Sequence, residues 1–247
     1  MTSIFERKIM FFRQKTNKPK QFSDHGVRHI AFIMDGNGRW AKKRGMPREY
    51  GHREGAKAFQ RVVEYCGEIG IEYVTVYAFS TENWKRPEHE VNAIMQLFTE
   101  YMTEAFRVFA EKGLRIRFIG DRSRFDGALL AEMEKLERDS CCNQKVLNVA
   151  FNYGGREDIV HAAKTLMKEG RELTEETLSS ALYTANCPDP DLVVRTGGEV
   201  RISNFLLWQS AYAELYFTDT LWPDMQEADV DAAVMEFARR NRRFGGV

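Results

Sequence analysis

Cysteine is scarce in this chain, and the few cysteines present are not arranged as a scaffold. The 247 residues contain four cysteines and no Cys-x-x-Cys pair. Cys141 and Cys142 are adjacent, which is not the spacing of zinc ligands. Four cysteines are too few for a disulfide framework in a chain of this length, so we expect reduced thiols and a cytoplasmic location.

Long apolar runs and an excess of either charge are also absent. No apolar run approaches the ~20 residues that a membrane-spanning helix needs, and the basic N-terminus lacks the apolar core of a signal peptide. Lys and Arg together number 36, as do Asp and Glu, so the formal net charge is zero. This balance excludes a generally basic nucleic-acid coat, and we expect no nucleic acid as a partner.

Residues 1–28 differ in composition from the rest of the chain, and we treat them as a basic N-terminal extension. Lys and Arg greatly outnumber acidic residues there, and Ile4, Phe5, Ile9 and Phe12 fall at helical spacing. Two interpretations stay open. One is a solvated tail, and the other is a short amphipathic helix that makes a peripheral contact with the inner face of the membrane.

From residue 29 onward, short apolar runs typical of strands alternate with helical patterns. The predicted strands are 29–34, 73–79, 115–119, 146–151, 192–194 and 214–217. The predicted helices are 55–69, 88–111, 123–139, 158–168, 174–185 and 228–242. This order predicts an α/β fold: a single domain over 29–247 with a central, mainly parallel six-stranded sheet flanked by helices.

Ligands of such sheets bind at the carboxyl ends of the strands, so the polar residues at 34–40, directly after the first predicted strand, are candidates for a site. Gly36 and Gly38 allow the backbone to approach an anion closely, and Arg39 suits phosphate. Asp35 would repel a phosphate unless a cation such as Mg²⁺ lies between them. The alternative is a glycine turn in which Asp35 caps a helix.

A second cluster lies at 48–56, where the next helix begins. Arg48, His52 and Arg53 concentrate positive charge there, and the dipole of a helix start also favours anions. A solvated basic turn is the alternative interpretation.

A third cluster, at 79–87, follows the second predicted strand. It combines a hydroxyl, a carboxylate, an amide, an indole and a guanidinium within a few residues. Helix capping by Ser80 or Thr81 is the structural alternative, but it leaves Trp84 and Arg86 unexplained.

A fourth cluster follows the fifth predicted strand. Arg195, Arg201 and Ser203 surround a Gly-Gly turn, which is typical of an anion cradle. Two arginine-rich cradles, together with Asp35 and the later carboxylate Glu214, indicate an enzyme that handles two phosphorylated substrates with a metal.

Several common phosphate-enzyme motifs are missing. The sequence has no Gly-Lys-Ser/Thr loop of a P-loop enzyme and no Gly-x-Gly-x-x-Gly after the first strand. Asn37 stands where an aspartyl-phosphate phosphatase would need a second Asp. A Mg²⁺-dependent phosphatase of another kind stays open as an alternative.

The predicted helix 88–111 has a wide apolar face. It is formed by Val91, Ile94, Met95, Leu97, Phe98, Met102, Ala105, Phe106 and Phe109. One interpretation is a helix buried in the core, and the other is the wall of an apolar tunnel above the sheet. Phosphate cradles beside such a tunnel suit an amphiphile with a diphosphate head and a hydrocarbon tail. In that case a larger side chain at Ala78 or Ala105 would block the tunnel.

These motifs resemble those of cis-prenyltransferases, in family order over 29–247. The matching segments are HIAFIMDGNGRW at 29–40, GHREGA at 51–56, YAFSTENWKRP at 77–87, NYGGR at 152–156, DLVVRTGGEVRISNF at 191–205, and the stretch 206–223. The resemblance implies repeated condensation of isopentenyl diphosphate onto farnesyl diphosphate. The implied product is a long cis-polyprenyl diphosphate such as undecaprenyl diphosphate, the precursor of a lipid carrier for cell-wall synthesis.

The resemblance also implies roles for individual residues. Asp35 and Glu214 match the Mg²⁺ ligands. The allylic diphosphate site is matched by Gly36, Asn37, Gly38, Arg39, Trp40, Arg48 and His52. The loop over the reacting carbons is matched by Ser80, Thr81, Glu82, Asn83, Trp84 and Arg86. The isopentenyl diphosphate site is matched by Arg195, Arg201, Ile202 and Ser203.

Three further expectations follow from the resemblance. Asn83 corresponds to the group placed as proton acceptor, but an amide is a poor base, so we interpret it as a positioning group or relay. A homodimer is expected, with the aromatic-rich segment 204–212 as a candidate interface and core packing as the alternative for that segment. The alternative to catalysis is a non-catalytic partner subunit, since some family members only support an active chain.

Overall fold

Six strands form one sheet in which all neighbouring strands are parallel, with the order β3-β4-β2-β1-β5-β6. The computed structural model describes residues 25–240, except the side chains of 101–104. The strands are β1 (His29–Ile33), β2 (Tyr73–Ser80), β3 (Leu114–Ile119), β4 (Lys145–Tyr153), β5 (Leu192–Arg195) and β6 (Glu214–Phe217). The predicted α/β fold with a six-stranded parallel sheet is therefore confirmed.

Helices connect the strands and cover both faces of the sheet. They are α1 (Asn37–Lys43), α2 (Arg48–Glu68), α3 (Glu88–Glu111), α4 (Gly127–Asp139), α5 (Gly155–Glu169), α6 (Glu175–Ala181) and α7 (Glu227–Arg239). Short 3-10 turns add Thr81–Lys85 and Trp222–Asp224. Within the described residues, no helix is long and apolar enough to cross a membrane.

The helix α2 begins seven residues before the predicted start at residue 55, because two glycines that usually weaken a helix are used here for close packing. A side-chain Cβ at Gly51 would collide with the Asn37 carbonyl, and one at Gly55 with the Asn37 side chain. These glycines therefore let α2 pass directly beside α1, which sequence periodicity did not predict as a separate helix.

The two largest parts of the core lie on opposite faces of the sheet, and two small clusters lie between α5 and α6 and around Trp40. The larger part packs the sheet against α2, α3, α4 and α7, and the smaller part lies on the other face around Ala31, Tyr153 and Phe205. Val27 is 3% exposed and belongs to the larger part. The packed domain thus includes residues just before 29, whereas the predicted amphipathic segment at 4–12 lies outside the described residues.

Candidate functional site

The carboxyl ends of the strands meet around one polar cavity of about 760 Å³. This cavity brings together the four polar clusters. Its lining includes the predicted site residues Asp35, Gly36, Asn37, Gly38, Arg48, His52, Ser80, Glu82, Asn83, Arg86, Arg195, Arg201 and Ser203. The parallel sheet explains this convergence, since each cluster follows a strand or begins the helix after it.

Asp35 lies between two guanidinium groups. Its Oδ2 atom is 3.0 Å from Nη2 of Arg39 and 3.1 Å from Nη2 of Arg195. Arg195 is 5% exposed and donates from Nη1 to Ser203 Oγ at 2.7 Å. The first and fourth clusters are therefore joined through a single carboxylate, which is still partly accessible from the cavity.

Glu90 organises the second and third clusters, and sequence reasoning missed it. Its carboxylate is 2.7 Å from Arg86 Nη1 and 3.1 Å from Arg48 Nε, although Glu90 is only 4% exposed. Ile94, one turn further along α3, lines the cavity. The signal in the sequence was a glutamate on the apolar face of this helix, where a charge needs a partner.

His52 lies beside this ion cluster but does not carry the positive charge that the sequence predicted. Burial, together with the nearby Arg86, lowers its pKa to about 4, so the imidazole is neutral near neutral pH. Its Nε2 atom is buried without a hydrogen-bond partner among the described residues, and so is the Asn37 Oδ1 atom. Buried polar atoms are normally paired, and both residues line the cavity, as expected of a site that takes a polar ligand.

The 3-10 turn Thr81–Lys85 places the third cluster over the cavity. The side-chain Oδ1 of Asn83 accepts from the Ser80 amide at 3.1 Å, and Ser80 in turn caps the turn. Glu82 accepts from Asn204 Nδ2 at 2.8 Å. Asn204 and Arg156 also line the cavity, although the sequence motifs that contain them gave neither residue a role in the site.

Five predicted residues near the site do not line the cavity themselves: Arg39, Trp40, Thr81, Trp84 and Ile202. Arg39 still reaches it through Asp35 and donates to the Gly197 carbonyl. Trp40, in α1, is 8% exposed and donates to Asp224 at 2.6 Å. Ile202 packs against the smaller core. These side chains contact residues next to the cavity and do not form its wall.

Glu214 lies at the amino ends of the strands, whereas Asp35 lies at their carboxyl ends. Glu214 pairs with Leu192 of β5, which pairs with Ile30 of β1, so Glu214 and Asp35 are separated by roughly 16 Å along the strands, at ~3.3 Å per residue, and by two strand spacings across the sheet. Glu214 instead forms an ion pair with Arg240 at 2.8 Å. Within residues 25–240 no group of three or more His, Cys, Asp or Glu side chains is arranged to hold a metal.

An apolar cavity of about 110 Å³ adjoins the polar one. Its lining includes Phe59, Val76, Leu97, Phe98, Phe106 and Phe151, from α2, the sheet and α3. The two cavities share Met34, Asn37, His52, Ala78 and Ile94. Ala105, the other predicted blocking position, is buried on α3 but does not line this space.

Comparison with known proteins gives one consistent family. A family model described as putative undecaprenyl diphosphate synthase matches residues 33–245. An isoprenyl transferase of Fusobacterium nucleatum is 53% identical over 222 residues, 89% of this chain and 96% of that protein. An isoprenyl transferase of Aquifex aeolicus is 50% identical over 221 residues, with the same coverage of 89% and 96%.

Solved structures agree with these sequence relatives. Lavandulyl diphosphate synthase from Lavandula x intermedia, in complex with dimethylallyl diphosphate, superposes with a TM-score of 0.86 at 33% identity, over 90% of this chain and 100% of that one. A probable undecaprenyl diphosphate synthase from Campylobacter jejuni gives a TM-score of 0.76 at 36% identity, over 89% and 99%.

Proposed function

Because the chain belongs to the cis-prenyltransferase family and is a prenyltransferase of the cis type, we propose that it adds isopentenyl diphosphate repeatedly to farnesyl diphosphate and makes undecaprenyl diphosphate. The observation that carries this proposal is the polar cavity with two arginine cradles that adjoins an apolar cavity. Such a pair of cavities suits two diphosphate heads and one growing hydrocarbon tail. The presence of Asp35 in this site does not favour a non-catalytic subunit.

The two cradles suggest an assignment of the two substrates. Arg48 and Arg86, held together by Glu90 beside the apolar cavity, suit the allylic diphosphate, whose tail needs that cavity. Arg195, Arg201 and Ser203 suit isopentenyl diphosphate, which has no long tail. The guanidinium fork binds diphosphate oxygens in both cases.

Mg²⁺ fits this site through Asp35. Mg²⁺ is commonly bound by one or two carboxylates together with substrate phosphates, and Asp35 offers one carboxylate at the edge of a cavity suited to diphosphates. When bound, Mg²⁺ supplies neutralisation of charge on the leaving diphosphate. Because of its place in the sheet, Glu214 can act as a ligand beside Asp35 only from a second copy of the chain.

The residues of the chain perform the remaining tasks. The allylic C–O bond breaks and a C–C bond to the isopentenyl unit forms, and the arginines stabilise the negative charge that develops on the departing diphosphate. A proton then leaves the isopentenyl carbon. Because the Asn83 oxygen already accepts from the Ser80 amide, Asn83 orients the substrate, and the diphosphate takes the proton.

We also propose a homodimer, with β6 at its interface. β6 is an edge strand, and Val200, Tyr212 and Leu215 near it are 74%, 74% and 36% exposed. Phe205 and Leu206, from the segment predicted as an interface, are fully buried in the chain's own core. The contact between the two copies would thus use the edge strand β6 and Tyr212. The basic N-terminus would make the membrane contact for product release.

Asp35→Asn tests the proposed function. The enzyme is incubated with farnesyl and isopentenyl diphosphates and Mg²⁺, and the products are resolved by chromatography. We expect chain extension by the wild type and a loss of roughly two to three orders of magnitude in the variant, the scale for removing a transition-state electrostatic partner.

Asp139→Asn, at an exposed position at the end of α4, is the matched control and should keep full turnover. Circular dichroism shows whether each variant is folded. Phosphate release without extension by the wild type would indicate a phosphatase instead, and near-normal turnover by folded Asp35→Asn would refute the proposed role of Asp35.

A further inference from the structure

The structure assigns Asn152 a positioning role: its side chain holds the turn Thr81–Lys85 over the reacting carbons through the indole of Trp84. Asn152 lies in β4, is 2% exposed and does not line the polar cavity. It therefore contacts neither substrate and would act only through Trp84. The inference rests on the proposed function, because it assumes that the turn covers the reacting groups.

Two hydrogen bonds carry this inference. The Trp84 Nε1 donates to Asn152 Oδ1 at 2.8 Å, and Asn152 Nδ2 donates to the Asp121 carbonyl at 2.7 Å. The indole can only donate and the carbonyl can only accept, so a side chain with one acceptor and one donor is required between them. The Asn152 amide is thus a bridge between the turn Thr81–Lys85 and Asp121, the second residue after β3.

The bridge is held in a fixed place by the backbone. Asn152 has φ 52°, a left-handed conformation that asparagine tolerates better than most residues. The Asp121 amide donates back to the Asn152 carbonyl at 3.1 Å. A side chain in such a conformation persists where its surroundings determine it, and such places are frequent near active sites.

The side chain of Trp84 holds the turn in place and does not contact the substrates. Its ring packs edge-on against Phe79 at 5.1 Å, and the Arg124 guanidinium lies 5.2 Å from its centroid. Its neighbours Glu82 and Asn83 line the cavity while Trp84 does not. Fixing the indole from behind therefore fixes the positions of these two neighbours.

A second contact holds the other end of the turn, so loss of the first contact should affect kcat and the KM for farnesyl diphosphate differently. Arg86, itself part of the proposed allylic site, is bound to Glu90 at 2.7 Å, and this contact does not involve Asn152. Releasing Trp84 should therefore disturb the alignment of the reacting carbons while allylic diphosphate binding is kept. The expected signature is a lower kcat with little change in the KM for farnesyl diphosphate.

A double-mutant cycle tests this. Asn152→Gly removes the side chain without strain at φ 52°, and Trp84→Phe keeps an aromatic ring but removes the N–H donor. We expect each variant to lower kcat roughly ten- to a hundredfold, the scale for misplaced reacting groups. The double variant should be no slower than the slower single one. Effects that multiply would overturn the inference.

Asn152→Asp keeps an acceptor for the indole but cannot donate to the Asp121 carbonyl, so it should also lower kcat; a folded Asn152→Asp with wild-type kcat would contradict the bridge. Asn186→Gly is the matched control, since Asn186 also has a left-handed φ, of 67°, but is exposed and away from the turn. It should leave kcat unchanged.

A spectroscopic readout keeps the test independent of turnover. The emission of Trp84 is obtained by subtracting the spectrum of Trp84→Phe, and it should shift to longer wavelength in Asn152→Gly but not in Asn186→Gly. An unchanged Trp84 emission would refute the anchor. Failure of the wild type to extend farnesyl diphosphate would refute only the proposed function.

Discussion

Ala78→Leu probes whether the growing chain enters the apolar cavity. Ala78 lies near the end of β2, is half-buried, and lines both the polar and the apolar cavity. Leucine adds three carbon atoms at this junction. If the hydrocarbon tail passes between β2 and α3, the added atoms should stop elongation early and leave the diphosphate cradles untouched.

The size of the space determines what the substitution should cost. In a filled core, such a substitution typically costs about 1–3 kcal/mol, which lowers the Tm of a domain of this size by about 2–12 °C. At Ala78 the adjoining space of about 110 Å³ can accept the new side chain. We therefore expect a fall in Tm at or below the low end of that range, with shorter products and the first condensation largely retained.

The assay measures product length by chromatography and the Tm by a thermal melt of the same preparation. Ala105→Leu is the matched control, because Ala105 is buried on α3 but does not line the cavity. It should lower Tm and total activity together without shortening the product. An unchanged length distribution from a stable, active Ala78→Leu enzyme would refute a tail path through this cavity.

Two further predictions concern His29 and the edge strand. Burial lowers the pKa of His29 from 6.5 to about 4, so between these pH values His29 is protonated in the unfolded chain but neutral in the folded one. This difference adds about 3 kcal/mol to the free energy of unfolding. The full amount should be present above pH 6.5 and should be lost as the pH falls to 4. Urea unfolding of wild type and His29→Gln against pH measures this, and identical pH profiles would contradict it. For the dimer, wild type should sediment at micromolar concentration as twice 28.6 kDa and Leu215→Glu as a monomer; a monomeric wild type would refute the proposed interface.

The strands were predictable because each is a short apolar run between polar ends. Strands of a parallel sheet are covered on both faces and therefore read as nearly continuous apolar segments. The predicted run at 214–217 has the same bounds as β6, and the other runs differ from their strands by at most two residues at either end. The helix α2 was predicted too short because Gly51 and Gly55 resemble helix breakers, although they serve contact with α1.

The convergence of the site was predictable from the same rule, but its internal contacts were not. Polar residues after parallel strands lie at one edge of the sheet, which is why Asp35, Ser80 and Arg195 share a cavity. Because the strands are parallel, Glu214, the first residue of β6, lies at the amino ends of the strands and therefore away from Asp35. Resemblance of motifs alone does not reveal this separation.

Local sequence determined where strands and helices form and which ends of the strands carry polar groups, because periodicity and turn chemistry act between near neighbours. Only the tertiary structure decided that Glu90 joins Arg48 to Arg86, and that Asn152 lies between Trp84 and Asp121. These contacts join residues brought together by separate crossovers of the chain. Their distances depend on how the helices and loops pack on the sheet, which no local pattern encodes.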